Sequence, residues 1–223
     1  MQGAALLHEV ETARQMARLV TGATSLPFSA KIRVDPDLRR TVDLVRQLEA
    51  AGVAFITVHG RTCKQRSADP VDFEAIKLVV ESVAIPVLAN GDINSVADTG
   101  EHRLHDFFAA MRFHTVALCA ERVVARTGVD GVMAARGILA NPAMYHPNRY
   151  AQTPTAAVEQ YTAHAMAFGP PTSFSVMHHH LQYMLEKRLC AQDRREFNEL
   201  HSAPGVLDFL RARGLAMRPS QPP

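Results

Sequence analysis

The sequence predicts an α/β fold built on parallel strands and followed by an all-helical segment. Three observations carry this. Short apolar runs rich in β-branched residues alternate at least three times with amphipathic helical stretches, the pattern of strands joined by right-handed helical crossovers. Polar and glycine residues gather after each apolar run, and from about Asn141 onward the strand signal stops. A β/α barrel and a doubly wound sheet both place their sites at the C-terminal ends of the strands, and the spacing fits both.

The elements follow in order. Leu6, Val10, Ala13, Ala17 and Val20 have helical spacing, with Gly22 as a stop. Phe28 to Val34 reads as a strand, and Asp35-Pro36-Asp37 opens a helix that runs to about Ala51. Ala54 to Val58 has the continuity of a buried parallel strand. Asp72 can cap a helix through Val80, Ile85 to Ala89 is the third strand with Pro86 at its beginning, and Val129 to Ala135 is the fourth. Helices are expected over Thr155 to Phe168, Phe174 to Leu189 and Arg194 to Arg213, with Gly169-Pro170-Pro171 and Pro204-Gly205 as interruptions.

Composition bounds the functional classes. The 223 residues are 47% hydrophobic and 21% charged, so a substantial core can be buried. A net charge of +2 creates no strong global field, so nucleic-acid affinity would need local basic patches. Cys63, Cys119 and Cys190 are too few and too widely spaced for a disulfide framework or a zinc motif, and a reducing intracellular compartment, the cytoplasm, is expected. There is no run of about 18 apolar residues and no secretory pattern, so no membrane partner is expected.

The candidate site residues stand at the strand ends: Lys31 with Arg33, His59-Gly60-Arg61, Asn90-Gly91-Asp92, and Ala135 with Arg136-Gly137. Taken singly, each has a plain reading. Lys31 suits a solvated charge, His59 a satisfied core histidine, and Asn90-Gly91 a turn. Glycine also lets backbone N–H groups approach a phosphate, and arginine before a helix adds a charge-assisted clamp. His178, His179 and His180 are consecutive on a helix and point about 100° apart, so no metal site is expected there. Cys63 has no assignable base, and the methionines with Tyr161, Phe168, Phe174 and Tyr183 are expected to pack the helical core. Lys187 and Arg188, followed by Arg194 and Arg195, form the densest basic cluster of the helical part, suited to phosphate contact or to a helix terminus.

Together the segments carry a resemblance. Lys31-Ile32-Arg33, Val58 to Thr62 with Gln65, Val87 to Asp92, and Asp130 to Gly137 with Asn141-Pro142 resemble, in order and spacing, the successive motifs of tRNA dihydrouridine synthases. The likeness runs from Gly3 to Leu7 at one end to His180 to Lys187 at the other, and is greatest to the eukaryotic group called dihydrouridine synthase 4. It implies the C-terminal half of a TIM-type (β/α)8 barrel over residues 1–141, which binds FMN, and a helical tRNA-binding domain over 142–223. Lys31 is implied to face the flavin's pyrimidine edge, where a cation stabilises the charge of the reduced form. His59 is implied as a second cofactor contact, with Asn90, Gly91, Asp92, Ala135 and Arg136 holding the phosphate end. Arg33 and Arg61 are implied contacts to flavin or RNA. In the family NADPH reduces FMN, a hydride passes to C6 of a flipped-out uracil, and a cysteine protonates C5.

Two departures from the family pattern bear on activity. Family members carry four further strands and a Cys-Pro loop ahead of the segment matching Gly3 to Leu7, and none of Cys63, Cys119 and Cys190 matches that acid. No catalytic residue is therefore carried over, and this chain alone is expected neither to hold flavin tightly nor to reduce uridine. Half a barrel also leaves sheet edges unpaired, so poor solubility or pairing with another half is expected. Reading Ser95 to Asp98 directly into Ala120 to Val124 restores a family-like helix, which makes 99–119 an insertion of 21 residues. Its ends allow the codons of intron borders, while Leu104, Phe107, Phe108, Met111 and Val116 could instead form the stripe of a surface helix. The functional alternatives are a non-catalytic RNA-binding fragment and an FMN barrel reductase of the dihydroorotate dehydrogenase type; the helical tail disfavours the latter.

Overall fold

The computed structural model describes residues 3–96, 118–168 and 173–215. Most of the expected insertion, 99–117, lies outside the described residues. The chain divides into two compact units, Met1–Ala135 and Arg136–Pro223. That division falls six residues before the expected boundary at 141, so the helix that follows the fourth strand belongs to the second unit.

In the first unit, strands β1 (Ser29–Arg33), β2 (Phe55–His59) and β3 (Val87–Asn90) and the short β6 (Gly131–Met133) form one parallel sheet in the order β1-β2-β3-β6. These are the four strands expected from sequence, with ends shifted by one or two residues. Helices α2 (Leu38–Ala50) and α3 (Phe73–Val80) connect them. The Asp37 side chain accepts from the backbone N–H of Arg39 and that of Asp72 from Ala75, so two of the orphan donors at helix starts are satisfied. Pro36 precedes its helix and Pro86 precedes β3, where a missing N–H breaks no ladder.

Parallel pairing fixes which side chains share a face. Ile32 pairs with Val58, Val58 with Ala89 and Ala89 with Val132, and this apolar row is covered by helices. Ile56, Val58 and Ala89 have no exposed surface, nor have Val45 of α2 and Ile76 of α3. Polar ties lock the bottom of the sheet: Asp130 accepts from Val87 N–H at 2.8 Å, and Glu49 accepts from Ala84 N–H at 2.7 Å.

Three differences from the sequence reading are informative. The expected first helix is broken into a 3-10 turn (Gly3–His8) and α1 (Val10–Ala23), because Glu9 leaves helical geometry at φ −117°. The break lets Leu7 be buried and brings His8 Nδ1 within 3.4 Å of the buried Asp35 carboxylate. A small pair of parallel strands, β4 (Ile93–Ser95) and β5 (Leu118–Cys119), was not anticipated; it leads into α4 (Ala120–Thr127). Strand β1 is an edge of the sheet. Beside it a cavity of about 380 Å³ opens among Leu6, Met16, Ala17, Phe28, Ile32 and Leu44. Leu19 of α1 and Leu26 are each 73% exposed.

The described part of the second unit is helical: α5 (Arg136–Ala140), α6 (Thr155–Phe168), α7 (Phe174–Leu185), α8 (Ala191–Asn198) and α9 (Ala203–Ala212). The stretch expected from Arg194 with an interruption at Pro204-Gly205 is two helices, and the break falls earlier, between Asn198 and Ala203. Cys190 caps α8, and Ser202 caps α9 with Pro204 in its first turn, where proline starts a helix instead of interrupting one. The core joins Leu181, Leu185, Phe197, Val206 and Leu210, with Phe209 edge-on to Phe197 at 5.1 Å. Met177, Met184, Tyr161 and Phe174 pack as expected, while Met166 is 52% exposed and the Phe168 side chain lies outside the described residues.

Candidate functional site

The face of the sheet opposite the helices becomes polar at the C-terminal ends of its strands. Arg33 pairs with His59, and His59 with Asn90, so these three project to one side, with Lys31 two residues before Arg33 on the same side. The sequence reading named all four residues; their register is what brings them together.

Their electrostatics differ. His59 is held down to about 4 by burial, aided by the cations Arg33, Lys31 and Arg61, so it is neutral at pH 7. The backbone N–H of Arg61 donates to His59 Nδ1 at 3.1 Å, which leaves Nε2 to carry the proton and makes it a donor. Lys31 also has a lowered pKa, first from partial desolvation and then from Arg33. Arg33 donates to the Thr62 carbonyl at 2.9 Å, which anchors it over the loop after β2. In the same loop Gln65 accepts from Thr62 N–H at 2.7 Å.

Asn90 is 6% exposed, and its amide donates to the Met133 carbonyl at 2.7 Å, tying the end of β3 to β6. Gly91 follows at φ +126°, and a Cβ there would stand 2.9 Å from Val71 Cγ2, so the turn needs glycine. Asp92 is held in the left-handed region at φ +53°.

Arg61 lies inside the loop after β2. It is 2% exposed, and its guanidinium donates to Asp69 O at 2.6 Å, Ser67 O at 3.1 Å and Asp92 Oδ1 at 3.0 Å, with a further bond to Asp92 Oδ2. These bonds engage the Arg61 guanidinium inside the protein, where it joins the loop after β2 to the turn after β3. Asp92 is correspondingly a partner of Arg61. The register brings the two together, since Arg61 and Asp92 stand at equal offsets beyond the paired residues His59 and Asn90.

Ala135 follows β6 and ends the first unit, and Arg136 opens α5 in the second. In the second unit Lys187 is exposed just beyond α7. Arg188 is half-buried and donates to Thr153 O and Thr155 Oγ1, both at 3.0 Å. Of the three histidines on α7, His178 is a core residue: its Nε2 lies 2.8 Å from Phe197 O, and its ring stacks on Phe174. His179 is exposed beside Gln182, and His180 lies near Tyr161. Cys63 and Cys190 are exposed, and the Cys190 thiol is engaged with Asp193.

Comparison with known proteins bears out the sequence resemblance. The family described as Dihydrouridine synthase (Dus) matches residues 1–111 and 115–201. Among the most similar relatives, the Mus musculus protein named tRNA-dihydrouridine(20a/20b) synthase [NAD(P)+]-like is 41% identical over 93% of this chain and 57% of its own length. Its Homo sapiens counterpart of the same name is 39% identical over 93% of this chain and 58% of its own. The Schizosaccharomyces pombe tRNA-dihydrouridine(20a/20b) synthase [NAD(P)+] is 32% identical over 99% of this chain and 60% of its own. The chain thus spans somewhat more than half the length of these relatives.

Proposed function

The chain belongs to the dihydrouridine synthase family, and on that premise we propose that its strand-end face binds FMN in an enzyme that reduces uridine in tRNA to 5,6-dihydrouridine with NADPH. The observation that carries the reading is the in-register row of Lys31 beside Arg33, His59 and Asn90 at one end of three adjacent strands. The four strands are read as half of a β/α barrel, whose sites stand at this end.

The residues present suit the cofactor. Lys31, Arg33 and the neutral His59 are a donor set for an acceptor-rich anionic group, and the only carboxylate among the named strand-end residues, Asp92, is already held by Arg61. Gly91 leaves a turn without a Cβ, through which backbone N–H groups can approach a phosphate. Lys31 and His59 are assigned to the ring system, and Asn90, Gly91, Ala135 and Arg136 to the ribityl phosphate end. Bound there, FMN supplies the hydride chemistry that links a nicotinamide to a pyrimidine.

The chain's own contribution is electrostatic and positional. Lys31 places positive charge where negative charge develops on reduction, and its partial desolvation strengthens that interaction. His59 offers a fixed N–H without adding a second charge, because Arg61 N–H sets its tautomer. A uracil has to leave its stack to reach the strand ends, so an RNA-binding surface in the helical unit is part of the reading.

The test is direct. The natural full-length protein, incubated with FMN, NADPH and tRNA lacking dihydrouridine, is expected to yield a nucleoside two mass units heavier than uridine, and Lys31→Met is expected to lower the yield at least about tenfold. Absence of the heavier nucleoside with the wild type contradicts the proposal.

A further inference from the structure

In the second unit, the segment between α5 and α6 is a chain of tight turns with a built aromatic surface. Asn141, 7% exposed, anchors it: its amide donates to Tyr150 O at 2.6 Å, and its Oδ1 accepts from Ala143 N–H at 3.1 Å. At the other end Thr153 Oγ1 donates to Ala140 O at 2.8 Å. Between these anchors the His146 and Tyr150 rings pack with centroids 5.1 Å apart and planes tilted by 43°. Asn148 holds them in place, its N–H donating to His146 Nδ1 and its amide to the Tyr150 hydroxyl, both at 3.1 Å. The Tyr150 ring is held yet outward at 38% exposure, and Tyr145 is 46% exposed.

Arg149, between Asn148 and Tyr150, is exposed and has φ +51°. Among the described residues only Asp92 shares a positive φ without being glycine, and Asp92 stands at the strand-end site. Such strain persists where the surroundings over-determine it, commonly at ligand contacts. Residues 141–153 hold one arginine and no acidic residue. Pre-set aromatic faces beside a guanidinium suit a ligand with flat rings and phosphates, and they suit an apolar protein partner poorly.

We infer that this segment is an RNA-contact surface, on which an unpaired base stacks against the Tyr150–His146 pair while Arg149 meets the adjoining phosphate. The inference rests on the reading of the protein as one that acts on tRNA. Stacking tolerates any base, so the surface adds grip on a distorted strand and leaves sequence choice to other contacts.

The experiment measures binding of a fluorescein-labelled oligouridine of about ten nucleotides to the natural full-length protein by anisotropy across a salt series. Arg149→Gly removes the cation while relieving the positive φ. It is expected to weaken binding about three- to tenfold and to flatten the slope of log affinity against log salt by about 0.7. Tyr150→Ala is expected to cost about five- to a hundredfold, and Tyr150→Phe, which keeps the ring, to stay within about twofold. Should Tyr150→Ala fail to fold, the salt slope of Arg149→Gly decides alone. Wild-type affinity in both Arg149→Gly and Tyr150→Ala overturns the inference. So does a wild type with no affinity for the oligonucleotide. FMN content, measured on the same samples, reports separately on the reading above.

Discussion

Arg61 and Asp92 form a buried ion pair that joins the loop after one strand to the turn after its neighbour, each two residues beyond the paired His59 and Asn90. With side chains only 3% and 7% exposed, the pair is shielded from solvent, so removing one partner strands a charge. Arg61→Met is expected to destabilise the protein by about 3–5 kcal/mol, and adding Asp92→Asn to recover part of that loss. Urea denaturation of the two variants checks this; a loss below about 1 kcal/mol for Arg61→Met would show that the pair does not hold the loop.

Much of this was legible before the structure. The four strands and the caps Asp37 and Asp72 follow from apolar runs bounded by Asp, Pro and Gly, signals that act locally. The break at Glu9 and the pairing of β4 with β5 were not legible, because they depend on partners distant in sequence: the buried Asp35 near His8, and a ladder across more than twenty residues. The same limit explains Arg61. Its charge and place beside a strand end suggested ligand contact, and only the fold shows a carboxylate within reach.

Gly91 gives a second prediction, paired with a control. Gly91→Ala places a Cβ 2.9 Å from Val71 at a φ that alanine rarely adopts, so a loss of about 1–3 kcal/mol is expected together with reduced FMN retention. Gly22→Ala, in α1 with nothing within 4 Å, is expected to be neutral or to stabilise by about 0.5–1 kcal/mol. Equal melting temperatures for both variants would contradict this account of the turn.

The third prediction concerns pH. His59 titrates near 4 in the folded protein and near 6.5 when unfolded, so between those values the unfolded chain binds more protons. Stability from this group is complete above about pH 6.5 and is lost as pH falls toward 4, by about 1 kcal/mol after allowance for partial solvent screening. His59→Gln is expected to show a shallower fall over that window in denaturation midpoints measured at several pH values. A wild-type His59 resonance that titrates near 6.5 would contradict the depressed value.

The central claim is that FMN is held at the strand ends beside Lys31, with Arg136 at its phosphate, and FMN content after purification of the natural full-length protein tests it most directly. The account predicts about one FMN per wild-type chain and clearly less in both Lys31→Met and Arg136→Ala, since a charge-assisted contact contributes about 1.5–3 kcal/mol. Wild-type protein free of flavin, or both variants with undiminished FMN, would contradict it.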